Sequence, residues 1–134
     1  MWGEQPTVHK FLLDHATSPR FAADYAFMKE TARFYHANRD LLFDGEMRAP
    51  GQLSCATRRV PFLARGSYTR PAQVREVVQT ALPTLFHTVW RAKDGRTAAV
   101  VVNWSREDQP FTLTAPDIAA TGTVPARSWI RIKQ

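Results

Sequence analysis

Two apolar runs separated by an Asp-Gly step constrain the fold of this chain more than any other feature. The runs cover residues 85–92 and 97–104, and Asp94-Gly95 lies between them. Asp-Gly tolerates the positive φ angles of a type I′ turn, so the pattern predicts a hairpin with a two-residue loop. Both faces of this hairpin would be apolar, which is typical of strands that are covered on two sides.

The predicted turn also fixes which residues lie opposite each other. With a two-residue loop, Trp90 pairs with Ala99 and His87 pairs with Val102. A large indole ring fits well against a methyl group across two strands. His87 is then expected to be a hydrogen-bonded histidine of the core.

Further strands are predicted after the hairpin. Phe111 and Leu113 alternate with threonines, as expected for a half-buried strand. Residues 115–122 contain a proline and are interpreted as a loop, and residues 124–132 as the last strand. The second half of the chain is therefore predicted to be an antiparallel β unit.

A long amphipathic helix is predicted before the strands. Ser18-Pro19 provides a capping residue and a proline suited to the first helical turn. Apolar residues then recur at helical spacing from Phe21 to Leu42, which indicates a helix of about five or six turns. Its aromatic face is wide and needs a large apolar surface to cover it. The predicted fold class is α+β, with an N-terminal long helix packed on a small antiparallel β-sandwich.

An arginine-rich segment connects the helix to the hairpin. Prolines and glycines break it into loops and edge strands. Glu46 is its one acid, against six arginines, namely Arg48, Arg58, Arg59, Arg65, Arg70 and Arg75. Such a patch attracts nucleic acid or another polyanion. A connecting segment that is solvated, or paired with acids elsewhere in a larger parent, is the favoured interpretation. The segment lacks the interleaved glycines and aromatic residues of an RNA-binding face, and no helix-turn-helix pattern lies beside it.

Composition indicates an ordinary globular domain. The 134 residues are 44% apolar and 22% charged, with a formal net charge of +6, and a chain of this size can bury a core of its own. The single cysteine, Cys55, excludes an intramolecular disulfide and is expected to be a half-buried apolar residue. No run is long enough to cross a membrane, and the N-terminus lacks the pattern of an export signal.

No motif of catalysis or metal binding stands out. The four histidines have no metal-ligand spacing, no phosphate-binding glycine loop occurs, and the carboxylates are not paired. No cofactor, metal or catalytic residue is therefore predicted. Asn103-Trp104-Ser105 matches the glycosylation acceptor pattern, but an asparagine that caps the corner after a strand is favoured.

The tryptophans leave two interpretations open. Arg127-Ser128-Trp129 offers a sugar an aromatic platform with a polar rim. Alternatively, Trp90 and Trp129 fill the core of the sandwich, which is the favoured interpretation.

The order of motifs along the chain resembles the C-terminal end of a group of uncharacterised glycoside-hydrolase-like proteins. The resemblance rests on WGEQP, the helix FMKETARFYHANRDLL, the DGEM step, the hairpin TVWRAKDGRTAAVVVNWS and the closing VPARSWIRI. In such proteins a TIM barrel is followed by a small β-sandwich. The resemblance implies that residues 1–44 correspond to the end of the barrel and residues 45–134 to the sandwich.

The resemblance implies a non-catalytic accessory domain whose missing TIM barrel belongs to a longer parent. Carbohydrate is the implied ligand, with Trp2, Glu4, Trp104 and Trp129 as its binding residues. The segment 113–124 is short for such sandwiches, so one strand is expected to be missing. Two alternatives stay open: a nucleic-acid-binding module using Arg58, Arg59, Arg65 and Arg70, and a homodimer formed through the helix Phe21 to Leu42.

Overall fold

The described part of the chain consists of a helical segment followed by nine strands. The structure is a computed structural model that describes residues 17–63 and 77–134, without the side chains of residues 62 and 63. The helical segment has a 3₁₀ turn (Pro19–Phe21), helix α1 (Ala22–Ala37) and the short helix α2 (Arg39–Leu42). The strands are β1 (Glu46–Arg48), β2 (Gln52–Ser54), β3 (Thr57–Leu63), β4 (Val77–Pro83), β5 (Leu85–Arg91), β6 (Thr97–Asn103), β7 (Gln109–Ala115), β8 (Ile118–Val124) and β9 (Trp129–Lys133).

Two antiparallel sheets form a sandwich, and the helices cover its outer face. One sheet has the order β1-β5-β6-β9 and the other the order β2-β7-β8. Strands β3 and β4 pair only with each other, and we call this pair the β3–β4 ribbon. The predicted class is confirmed: the chain is an α+β protein with an N-terminal helix on a small antiparallel β-sandwich.

The sandwich core is built from alternate residues of the facing strands. Because successive strand residues point to opposite sides, one set from each sheet is buried between them. These residues are Leu85, Val89, Ala99 and Val101 from one sheet and Phe111, Leu113, Ile118 and Val124 from the other. Burial of each large apolar side chain contributes about 1.5–3 kcal/mol. Cys55 packs partly buried against this core, as predicted.

A second core lies between the helices and the outer face of the four-stranded sheet. Tyr35, Leu41 and Leu42 pack there against Trp90 and Val100, together with smaller residues. The middle strands β5 and β6 are therefore covered on both sides. This confirms what their two-sided apolar character predicts.

The turn between β5 and β6 differs from the prediction. Its loop has three residues, 93–95, because the N–H of Ala92 bonds to the carbonyl oxygen of Arg96 (2.8 Å). Gly95 donates to the oxygen of Ala92 (2.9 Å) and has a φ of 91°. A type I turn followed by one residue at positive φ is the usual three-residue hairpin loop, and it uses Asp-Gly as readily as the shorter loop does.

The longer loop moves the register by one residue. Trp90 lies opposite Ala98 and His87 opposite Val101, so the predicted pairs with Ala99 and Val102 are wrong. Such a slip moves every residue of one strand to the other face. His87 is half-buried and its Nε2 donates to the carbonyl oxygen of Pro50 (2.8 Å), which confirms a hydrogen-bonded histidine.

Residues 115–122, predicted as a loop, mostly form strand β8. Ala115 pairs directly with Ile118, so the loop is reduced to Pro116 and Asp117. The sequence does not indicate this strand, because its small residues give little alternation of apolar and polar positions. The loop prediction for these residues is therefore wrong, whereas the expectation that a strand is missing relative to the resembled sandwiches stays a prediction.

The predicted helix is interrupted at Asn38. The backbone there leaves the helical range (φ −123°, ψ 25°), and the Asn38 Nδ2 group donates to the carbonyl oxygen of Phe34 (2.7 Å). Arg131 on β9 donates to Asn38 Oδ1, which ties the interruption to the sheet. Tyr35 is buried, whereas Phe27 is 50% exposed, so the sheet covers only part of the aromatic face. A homodimer through this helix stays a prediction.

Candidate functional site

A groove runs between the first turns of α1 and one end of the four-stranded sheet. Its volume is about 570 Å³. Three parts of the chain line it: the start of α1, the end of β6 and the turn leading into β9. The lining residues, which we call the aromatic groove, are Ala23, Asp24, Phe27, Val102, Asn103, Trp104, Arg127, Ser128 and Trp129.

Trp129 lies at the centre of the apolar part of the aromatic groove. Its ring is half-buried and contacts Phe27 edge to face, with centroids 5.7 Å apart and an interplanar angle of 66°. On the same helix, the ring of Phe34 lies 5.3 Å from that of Trp129. Val102 pairs with Trp129 across the sheet, and Phe86 pairs with Val102. The outer face of the sheet therefore presents a continuous apolar row that leads into the groove.

Trp104 closes the other side of the aromatic groove. It follows the last residue of β6 and is half-buried. Its indole N–H donates to the carbonyl oxygen of Pro83 (2.7 Å). Because this donor is already satisfied, Trp104 contributes apolar ring surface to the groove and no hydrogen-bond donor.

Asn103 is the buried residue that holds the loops around the aromatic groove. It is 1% exposed, and its Nδ2 group lies within hydrogen-bond distance of three carbonyl oxygens, those of Glu107 (2.8 Å), Val124 (3.0 Å) and Pro125 (3.0 Å). Its Oδ1 accepts from the backbone N–H and the hydroxyl of Ser105, both at 2.8 Å. This confirms that Asn103 caps the corner. The acceptor nitrogen of the glycosylation pattern is buried and bonded, so that pattern marks a structural asparagine here.

Two backbone bonds connect this corner to the turn before β9. Asn103 donates from its own N–H to the carbonyl oxygen of Ser128 (2.8 Å). Arg127 donates from its N–H to the carbonyl oxygen of Ser105 (3.0 Å). The turn that carries Arg127, Ser128 and Trp129 is thereby fixed to the end of β6.

Arg127 has an unusual backbone conformation. Its φ is 49°, and it is the one residue other than glycine at positive φ among those the structure describes. A non-glycine residue in this region costs about 1 kcal/mol or more, and such residues concentrate at ligand-binding sites. The side chain is exposed and forms no ion pair with any described residue.

Asp24 provides the polar group of the opposite wall. It lies in the first turn of α1 and is exposed. Within residues 17–63 and 77–134, neither a hydrogen bond nor an ion pair occupies its carboxylate. The aromatic groove therefore combines apolar rings with one carboxylate, one guanidinium and the hydroxyl of Ser128.

The predicted site residues fall into three groups. Trp104 and Trp129 lie together in the aromatic groove. Arg58 and Arg59 are exposed on β3. Trp2, Glu4, Arg65 and Arg70 lie outside the described residues.

The favoured interpretation is confirmed for Trp90 as a core residue, although its core lies outside the sandwich, and it is wrong for Trp129, which is half-buried. Trp90 is buried on the helix side of the four-stranded sheet, where its indole N–H donates to the hydroxyl of Thr88 (2.8 Å). Trp129 lies on the same side and lines the aromatic groove. Sequence reasoning also missed Asp24 and Phe27 as site residues. For Phe27 the sequence offered one signal, the aromatic face of the helix, which is wider than a small domain can bury.

The β3–β4 ribbon is the second surface that the sequence predicts to be functional. Arg58 and Arg59 are neighbours on β3 and therefore project to opposite faces of the ribbon. Neither forms an ion pair with the rest of the described chain, and residues 57–61 and 77–83 contain no acid. Val77 and Val78 on β4 are 56% and 38% exposed, so the ribbon has little cover of its own.

Two smaller hollows, of about 330 and 380 Å³, flank the turn between β5 and β6. Arg96 lines the larger of the two and donates to Asp94 and to Asp40, each at 2.7 Å. The side-chain and backbone hydrogen bonds from Arg96 hold the pKa of Asp94 below its usual value of 3.8. Over the described residues, no three metal-ligating side chains cluster. In the larger hollow the guanidinium group of Arg96 is thus already paired with two carboxylates.

Comparisons of the chain with protein-family models, with curated proteins and with solved structures found no match. The resemblance to glycoside-hydrolase-like proteins therefore stays a prediction. In the part of the chain that the structure covers, no helix has the length and apolar character needed to cross a membrane.

Proposed function

We propose that this chain is a non-catalytic accessory domain that binds carbohydrate in the aromatic groove. The observation that carries the proposal is the presence of Trp104 and Trp129 in one groove with polar groups at its rim. The apolar faces of sugar rings pack on aromatic side chains, while their hydroxyl groups need nearby donors and acceptors. Asp24, Arg127 and Ser128 offer both.

The charges of the aromatic groove favour binding over hydrolysis. Glycoside hydrolysis normally requires two carboxyl groups on opposite sides of the scissile bond. Asp24 is the single carboxylate among the described residues that line the groove. The proposal also agrees with the resemblance to glycoside-hydrolase-like proteins, in which a TIM barrel of a longer parent would carry out catalysis.

Affinity electrophoresis tests the proposal. The chain is run through native gels that contain hydroxyethylcellulose, laminarin or polygalacturonate, and its mobility is compared with that in a plain gel. We expect at least one polysaccharide to retard the chain and Trp129→Ala to remove most of that retardation. The ring of Trp129 contacts Phe27 and lies beside Val102 in the groove, so it should contribute most to stacking.

Phe86→Ala provides the matched control. Phe86 belongs to the same apolar row as Trp129 and is 46% exposed, but it does not line the aromatic groove. We expect its removal to leave retardation unchanged. Absence of retardation in every gel, or equal losses for both variants, would contradict carbohydrate binding in the groove.

A second candidate function is nucleic-acid binding by the β3–β4 ribbon. It is supported by two exposed arginines on a described ribbon that carries no acid, within a segment of six arginines and one acid. Lysine and arginine residues bind phosphates with release of counterions, so affinity falls steeply with salt. Exposed two-stranded ribbons also fit the major groove of DNA.

The test is a fluorescence titration of a labelled DNA duplex and a labelled single strand at 50 and 200 mM salt. We expect the double variant Arg58→Ala, Arg59→Ala to bind more weakly. The slope of log affinity against log salt concentration should fall by the equivalent of about two phosphate contacts. Arg33→Ala is the control, because Arg33 is paired with Glu30 (2.7 Å) on the helix. Equal effects of the two changes would indicate attraction by net charge alone.

A further inference from the structure

We infer that Arg127 makes the aromatic groove selective for acidic saccharides, those that carry a carboxylate or a sulfate group. This inference rests on the proposed carbohydrate binding. It adds a class of ligand and names the residue that would recognise it.

The backbone of Arg127 is held in a conformation that disfavours most side chains. At a φ of 49°, glycine would fit without strain and asparagine with little. Arg127 adopts this unfavourable backbone conformation although its side chain is exposed and does not pack in a core. Residues with backbone strain of this kind cluster at active sites and ligand-binding sites. The side chain of Arg127 borders the aromatic groove, so its task is expected there.

The guanidinium charge of Arg127 is available to a ligand. Arg96 and Arg48 use their guanidinium groups on neighbouring carboxylates, at 2.7 and 3.0 Å. Arg127 has no such partner among the described residues, although Asp24 lines the same groove. The two opposite charges thus stay separate, one on the helix wall and one on the turn before β9.

The chemistry of the guanidinium group suits an acidic ligand. A guanidinium group binds a carboxylate or sulfate with two parallel hydrogen bonds, and these are stronger than bonds between neutral groups. Trp129 is two residues away, so a sugar ring stacked on it would hold an acidic substituent near Arg127. Asp24, on the other wall, would accept hydrogen bonds from sugar hydroxyls and repel a second acidic group.

The experiment compares three gels at 150 mM salt, containing polygalacturonate, dextran sulfate and neutral hydroxyethylcellulose. We expect Arg127→Gly to weaken retardation by acidic polysaccharide about tenfold and to leave retardation by the neutral one unchanged. Its Tm should be equal to or above that of the unchanged chain, because glycine relieves the strain. Arg127→Lys, which keeps the charge without the planar fork, should retain part of the binding.

Arg58→Ala is the matched control, since it removes the same charge outside the groove. If Arg127→Gly loses retardation only in the polygalacturonate gel, the recognised group is a carboxylate. If it loses retardation only in the dextran sulfate gel, the recognised group is a sulfate. Equal losses for Arg127→Gly and Arg58→Ala would overturn the inference, as would no loss for Arg127→Gly. If Trp129→Ala abolishes binding while Arg127→Gly has no effect, carbohydrate binding is supported and selectivity for acidic saccharides is contradicted. If no gel retards the unchanged chain, both fall.

Discussion

The indole N–H of Trp104 donates a hydrogen bond of 2.7 Å to the carbonyl oxygen of Pro83. Pro83 is the last residue of β4, and Trp104 follows the last residue of β6. One side chain therefore joins the base of the β3–β4 ribbon to the wall of the aromatic groove. The bond also limits the rotation of the ring, so that the groove wall is ordered before a ligand arrives.

Trp104→Phe tests this relationship. The variant keeps an aromatic ring but removes the donor, which leaves the Pro83 carbonyl without its bond. We expect the free energy of unfolding to fall by about 1–2 kcal/mol and polysaccharide binding to weaken. Urea unfolding and gel retardation measure the two effects. Unchanged stability would show that the bond has no role in ordering the wall.

Asn103 is expected to be the most sensitive polar residue of the corner. Asn103→Ala leaves several buried carbonyl groups and the Ser105 N–H without partners, so stability should fall by about 3 kcal/mol or more. Ser105→Ala removes only one hydroxyl from the same corner and should cost about 1 kcal/mol. Urea unfolding of both variants checks the order. A milder effect at Asn103 than at Ser105 would contradict the role assigned to it.

Two glycines separate the cost of crowding from the cost of backbone strain. Both have positive φ, 71° at Gly51 and 91° at Gly95. A Cβ atom on Gly51 would collide with the carbonyl oxygen of Thr114, whereas one on Gly95 would meet nothing within 4 Å. We expect Gly95→Ala to cost about 1 kcal/mol and Gly51→Ala about 3 kcal/mol or more. Thermal unfolding of both variants measures the two costs. Equal costs would show that the contact with Thr114 adds nothing to the cost of backbone strain at Gly51.

The ion pair at the β5–β6 turn predicts a dependence on pH. Since Arg96 lowers the pKa of Asp94 in the folded chain, ionised Asp94 favours folding above its usual pKa of 3.8. This contribution is lost as the pH falls through the lowered value. We therefore expect Asp94→Asn to lower the stability only slightly, because the Asp94 carboxylate and the Arg96 guanidinium are both exposed. The difference in stability between the variant and the unchanged chain should shrink below pH 3.8. A difference that grows toward acid would contradict the assignment.

Much of the fold follows from patterns that the sequence displays directly. The apolar runs around Asp94 predict the central hairpin and its cover on two sides, because burial of both faces requires apolar residues at every position. The turn length could not be predicted, since Asp-Gly suits two loops that differ by one residue. Strand β8 was missed because its alanines and Gly122 carry no alternation. Gly122 lies against the ring of Phe111, whose nearest atom would be 3.2 Å from an added Cβ.

The candidate site was predictable in part. Trp129 is a candidate because an aromatic ring next to Arg127 and Ser128 is typical of a sugar-binding surface, whereas Trp104 is a candidate only through the resemblance to glycoside-hydrolase-like proteins. Asp24 and Phe27 were not, because they join the groove only through the packing of α1 on the sheet. The strain at Arg127 is equally invisible in a sequence, since it is set by the turn that Asn103 and Ser105 hold in place.

The most direct test of carbohydrate binding in the aromatic groove is a titration followed by NMR of the indole N–H resonances. The chain has four tryptophans, and their resonances are assigned from Trp→Phe variants. We expect a galacturonate tetrasaccharide to shift the resonances of Trp104 and Trp129 and to leave that of buried Trp90 in place, with cellotetraose giving weaker shifts of the same two. Shifts confined to other tryptophans, or none at millimolar concentrations of either sugar, would contradict the account.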